Sequence, residues 1–117
     1  MSTAAQIAGA DAEERVARFL ASRGLSIVAR NFRTRLGEID LVAQDGATLV
    51  FVEVRYRAGG GYGGALESIT AAKRSRIVAA AHQYLARLGA EPPCRFDVVT
   101  FEEGAPQWIR AAFDARG

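Results

Sequence analysis

The stretch from Leu36 to Arg57, LGEIDLVAQDGATLVFVEVRYR, constrains this chain more than any other. Two runs rich in aliphatic residues flank Asp45-Gly46, a dipeptide that favours a tight hairpin turn. With Asp45 and Gly46 as the loop, Gln44 pairs with Ala47, Asp40 with Phe51 and Glu38 with Glu53. Alternation along each strand then puts Glu38, Asp40, Phe51, Glu53 and Arg55 on one face. Ile39, Leu41, Val50, Val52 and Val54 take the other, which makes the better core. Asp40 and Glu53 become diagonal neighbours with alpha carbons about 7–8 Å apart, close enough to share one ion. Opposed glutamates repel unless something positive lies between them, either a metal ion or Arg55.

Composition sets the bounds. A chain of 117 residues, half of them hydrophobic, suits a single domain over 1–117 with residues 1–9 as a flexible tail. The net charge of +2 is small, yet fourteen of the fifteen basic residues are arginine and Lys73 is the sole lysine. Arginine richness beside abundant alanine is also what genome composition alone produces. The single cysteine, Cys94, offers neither a disulfide framework nor zinc-ligand spacing. The N-terminal stretch lacks the pattern of a signal peptide, and no apolar run reaches membrane-spanning length. The expectation is a soluble cytoplasmic protein without a membrane partner.

In chain order, a helix is expected from about Ala10 to Ser22, with Val16, Phe19 and Leu20 as its apolar stripe and Gly24 beyond its end. Glu13 falls on the buried side, in register with Val16, Ala17 and Leu20; a helix-dipole role is the alternative, though Glu14 serves that equally well. Leu25 to Arg33 reads as a strand, with Arg30, Arg33 and Arg35 carrying charge towards its end. After the hairpin comes AGGGYGGA (58–65), which fits G-x-G-x-x-G in form. The acidic residue that a dinucleotide site needs some 20 positions on is missing, so a mobile loop beside the hairpin is the better reading. A second helix spans about Thr70 to Leu88, with a stripe of Ile77, Ala81, Tyr84 and Leu88. One turn back, that stripe reaches Lys73 and Arg74, with Arg76 further round. His82 lies off the stripe and reads as a surface residue. Arg95 to Phe101 forms a fourth strand and Gln107 to Arg110 a short fifth, with Trp108 and Phe113 as core or edge cover. The order α-β-β-β-α-β, with one extra short strand, gives an α/β fold: a mixed sheet flanked by helices.

Two carboxylates on a rigid hairpin are hard oxygen ligands suited to magnesium or manganese. A cation two positions after the second carboxylate can orient a water and offset charge developing on a phosphate. Arg30, Arg33, Arg35, Arg57, Lys73, Arg74 and Arg76 surround the acids in sequence, the balance that metal-assisted chemistry on a nucleic acid requires.

Asp40 followed by Glu53-Val54-Arg55 resembles the PD-(D/E)xK nuclease signature. More closely, GEIDL (37–41), FVEVRYR (51–57), RNFR (30–33), the Gly63 to Lys73 region and RFDVV (95–99) resemble the YraN family of small bacterial proteins. The resemblance implies a restriction endonuclease-like fold related to archaeal Holliday-junction resolvases. It also implies Asp40 and Glu53 as metal ligands with the Val54 carbonyl, and Glu13 as the first-helix glutamate of the resolvase-like branch. Glu38 is a supporting acid. Arg55 departs from the usual lysine, and arginine cannot act as a general base. In some nucleases of this superfamily the basic residue has moved to the following helix, where Lys73 stands. The expected activity is metal-dependent hydrolysis of DNA, branched or single-stranded. The alternatives are a catalytically silent nucleic-acid-binding module and a protein-interaction domain. Nucleases of this superfamily that cut both strands usually dimerise, so a homodimer is expected.

Overall fold

The computed structural model describes residues 4–56, 69–101 and 106–115. Helix α1 (Ala4–Ser22) leads into strands β1 (Ser26–Arg33), β2 (Glu38–Asp45) and β3 (Thr48–Tyr56). Helix α2 (Ala71–Leu88) follows, then β4 (Cys94–Phe101) and β5 (Gln107–Phe113). The strands form one sheet in chain order. Every neighbouring pair is antiparallel except β3 and β4, which run parallel across the α2 crossover. The expected order and mixed sheet are both present. No helix among the described residues is long and apolar enough to cross a membrane.

Each helix covers its own core. Under α1, Val16, Ala17 and Leu20 meet Leu41, Ala43, Val50, Val52 and Val99. Under α2, Ile77, Val78 and Ala81 meet Val42, Leu49, Phe51, Phe96 and Val98. Tyr84 fixes α2 by standing edge-on to Phe32 and Phe51, with ring centroids 5.2 and 5.9 Å away. Leu88, expected on this stripe, is half exposed because the helix ends there. At the other end α1 starts at Ala4, earlier than expected, so residues 4–9 are helical. Alanine is the strongest helix former, and AAQIAGA carries four.

The hairpin register differs from the expected one. Asp45 pairs with Thr48 and Leu41 with Val52, so the loop is Gly46-Ala47. Gly46 has φ +59° and Ala47 is not in the left-handed region, the pattern of a type II′ turn with glycine at its first central position. The slip is two residues, so the faces largely survive while the partners change. Carried one step past its last pair, this register sets Asp40 across from Glu53, and Glu38 no longer opposes it.

Besides the irregularity between Ile27 and Ala29 of β1, alternation breaks at a point shared by β1 and β2. Ala29 and Phe32 pack on the α2 core although three residues apart, and so do Ile39 and Val42. Leu41, between them, packs under α1. The break sits at Asn31 and Asp40, between the pairs Arg30–Leu41 and Phe32–Ile39. Asn31 has φ +51°, a conformation asparagine tolerates better than most residues. Ile39 therefore lies on the face opposite to the one that strict alternation predicts.

Candidate active site

Backbone pairing of β2 with β3 ends at Leu41 and Val52. One step further, the side chain of Asp40 replaces the missing ladder acceptor: the Val54 N–H donates to its Oδ2 at 2.8 Å. N–H and C=O of one strand residue point to the same edge, so the Val54 carbonyl also faces this opening. Glu53 shares a face with Phe51 and turns towards α2, where Lys73 Nζ lies 3.2 Å from its Oε1. Arg55 Nη1 approaches the same oxygen at 3.9 Å. Thr70 fixes the position of the lysine. Its side chain caps α2 by accepting from the Lys73 N–H at 3.1 Å, which sets Lys73 in the first turn, over the hairpin.

Burial and mutual repulsion dominate the electrostatics. Glu53 is only 5% exposed. Desolvation, then the neighbouring Asp40 charge, push its carboxyl up to about 7, against the pull of Lys73 and Arg55. Asp40 is raised as well, by burial first and also by Glu38, while the Val54 N–H, Lys73 and a hydrogen bond with Glu53 oppose the rise.

The other expected residues divide by position. Glu13 reaches the site from the α1 side. Its carboxyl is raised by burial, then by Asp40, and it hydrogen-bonds the Asn31 side chain. Sequence reasoning missed Asn31, although an asparagine inside a strand is a signal for a special backbone conformation. Glu38 pairs with Arg33 at 3.4 Å. Arg30 turns to the α1 side and pairs with Glu14, away from the carboxylate pair. Arg74 Nε donates to the Ile69 carbonyl at 3.1 Å. Arg57 and the glycine-rich loop 58–65 lie outside the described residues. Arg33, Arg35, Arg76 and Lys73 line one open cleft of about 610 Å³ between the β1–β2 turn and α2. Among the described residues, no three His, Cys, Asp or Glu side chains are grouped to hold a metal. The available donors are therefore two carboxylates and a backbone carbonyl. That set suits magnesium, which keeps several waters and takes one or two carboxylates.

A five-stranded mixed sheet between two helices, with an acidic pair at the open end of its central hairpin, is a restriction endonuclease-like α/β domain. Within that class the chain belongs to UPF0102, the YraN family: the family described as "Uncharacterised protein family UPF0102" matches residues 12–101. It is similar to a UPF0102 protein of Cupriavidus taiwanensis, 56% identical over 112 residues, covering 94% of this chain and 85% of that one. A UPF0102 protein of Paracidovorax citrulli is 54% identical over 117 residues, covering 97% and 87%. One from Herminiimonas arsenicoxydans is 47% identical over 113 residues, covering 97% and 91%.

Proposed function

We propose that the protein is a metal-dependent nuclease acting on DNA. The observation that carries this reading is the buried Asp40–Glu53 pair, set against Lys73 at 3.2 Å and opening beside an arginine-lined cleft. Buried carboxylates that repel each other are costly to the fold unless a cation joins them. Asp40, Glu53 and the Val54 carbonyl would hold magnesium or manganese. When bound, that ion lowers the pKa of a water and offsets charge on the phosphate.

The chain's own residues do the rest. Arg55 orients and supplies positive charge without exchanging a proton. Lys73 Nζ stands on the cleft side of Glu53, where it meets a phosphate oxygen and can donate a proton. The first turn of α2 holds no acid and carries Lys73, with Arg74 and Arg76 close behind. Cations are disfavoured at a helix N-terminus, so this arrangement breaks a local rule, as functional sites do. A phosphate backbone laid across the cleft would relieve the conflict. Arg33, Arg35 and Arg76 are its contacts.

The test is calorimetry with manganese, followed by cleavage of labelled single-stranded and junction DNA, on wild type and Asp40→Asn. Wild type should bind manganese and cut. Asp40→Asn should fold, bind no metal and lose cleavage by about a thousandfold, several kcal/mol of transition-state stabilisation. No divalent-ion binding at millimolar concentration in the wild type, or cleavage that persists in Asp40→Asn, would end the nuclease reading.

A further inference from the structure

The β1–β2 turn, which carries Arg35, is built stiffly. The Thr34 N–H and hydroxyl both donate to the Gly37 carbonyl, at 2.8 and 3.0 Å. The Thr34 hydroxyl oxygen in turn accepts from the N–H of Leu36 and of Gly37, at 3.0 and 3.1 Å. Gly37 is seated so closely on α2 that a Cβ there would lie 2.3 Å from the Arg76 carbonyl oxygen. The tip of this fixed mount is Leu36, 53% exposed. A lone exposed leucine is ordinary. This one lines the same cleft as Arg33, Arg35, Arg76 and Lys73. A rigid apolar knob on a cleft whose lining holds four cations and one acid, Glu38, suits a ligand that is anionic outside and apolar inside, as stacked bases between phosphates are.

We propose that Leu36 is a wedge that enters an interrupted base step of DNA while Arg33, Arg35 and Arg76 take the flanking phosphates. This rests on the nuclease reading and names the residue that sets its choice of substrate. Apolar side chains of this kind part base steps at a cost in stacking, and the cost is least where stacking is already interrupted. The wedge therefore selects junctions, flaps and single strands over continuous duplex. Leu36 is four residues from Asp40, at most about 14 Å along the chain. At 3.4 Å per stacked nucleotide, the parted step lies within about four nucleotides of the carboxylate pair.

The experiment measures equilibrium binding without divalent metal, so that cleavage plays no part. Wild type, Leu36→Ala and Leu36→Met are titrated against duplex, four-way junction and single-stranded DNA of one sequence, with 2-aminopurine at the branch point. Wild type should prefer the junction and raise the 2-aminopurine fluorescence. Leu36→Ala should lose the fluorescence rise and about tenfold of the preference, with duplex affinity and its salt dependence unchanged. Leu36→Met should restore both. The wedge is overturned if Leu36→Ala matches wild type, or if it weakens all three DNAs equally. Wild type that binds none of them overturns it as well. Intact DNA binding with no manganese-dependent cleavage removes the nuclease reading alone, and the fluorescence result still decides the wedge.

Discussion

Asp97 and Glu53 are both buried in the sheet, on opposite faces. Asp97, under α1, is 0% exposed, and its carboxylate is saturated with donors. Arg95 Nε donates to both oxygens at 3.1 Å, Trp108 Nε1 donates to Oδ2 at 2.9 Å and the Ala111 N–H to Oδ1 at 2.9 Å. Arg95 reaches on to Asp45 at 2.9 Å. This network ties edge strand β5 to β4 and to the hairpin. Glu53, under α2, has Lys73, a distant Arg55 and a second carboxylate across from it. One acid is enclosed by its own protein and the other is left wanting a cation. Burial alone therefore does not mark a reactive carboxylate; the sign of its neighbours does.

The widest separation between the two centres should appear in stability. Asp97→Ala leaves Trp108 Nε1, the Ala111 N–H and part of Arg95 without their acceptor. Losing one partner of such a network costs about 3–5 kcal/mol. Urea denaturation followed by Trp108 fluorescence should show that loss. Asp40→Asn, which removes one of two repelling acids, should leave the midpoint unchanged or raised. Equal losses from both substitutions would erase the distinction and make Asp40 a structural residue.

A smaller effect separates the centres by pH. The Glu53 carboxyl, near 7 in the fold against an ordinary 4.5, keeps its proton after the unfolded chain has released it. The stability attached to the protonated form is complete below pH 4.5 and is lost as pH rises through 7. Relative to Glu53→Gln, wild type should lose on the order of 3 kcal/mol across that window. Unfolding curves of both proteins at several pH values check this, and added manganese should reverse the loss by neutralising the deprotonated carboxylates. A pH-independent difference would mean that Lys73 and Arg55 already neutralise Glu53.

The same two regions differ in how much of them the sequence discloses. Alternation in EIDLVAQ and LVFVEV is local, so the hairpin, its acidic face and the mixed sheet are legible. The helix start at Thr70 likewise puts Lys73 one turn from the hairpin. Strand register is less secure, because Asp45-Gly46 and Gly46-Ala47 both make acceptable two-residue loops and only the backbone at Gly46 decides between them. The irregularity between Ile27 and Ala29 and the left-handed Asn31 turn Arg30 to Glu14, so nearness in sequence misplaces that arginine. The Asp97 network is hidden for another reason. Its donors come from β4 and from a bulged part of β5, where Ala111 has φ +48° and the strand continues to Phe113. No short-range pattern encodes that meeting.

The smallest predicted effect tests the feature that most distinguishes Glu53 from Asp97: its cation comes from a helix across a cleft and is partly exposed. A nuclease must position its water and, at some stage, take a proton from it. A bound metal can do much of the second task without a side-chain base, so arginine at position 55 need not be disabling. Lys73, 3.2 Å from Glu53, is then free to serve the phosphate once a metal satisfies the carboxylates. Lys73→Ala should lower manganese-dependent cleavage at least about tenfold, roughly 1.4 kcal/mol, with little change in metal affinity. Arg55→Lys should retain or raise activity, since an ammonium can stand where the guanidinium stood and can also carry a proton. Cleavage rates and manganese calorimetry on the same preparations separate these effects. A Lys73→Ala protein that cuts at the wild-type rate would reduce the lysine to a neutralising partner of Glu53. If wild type, Arg55→Lys and Lys73→Ala all bind DNA but none cuts it, the carboxylate pair serves a silent binding module instead.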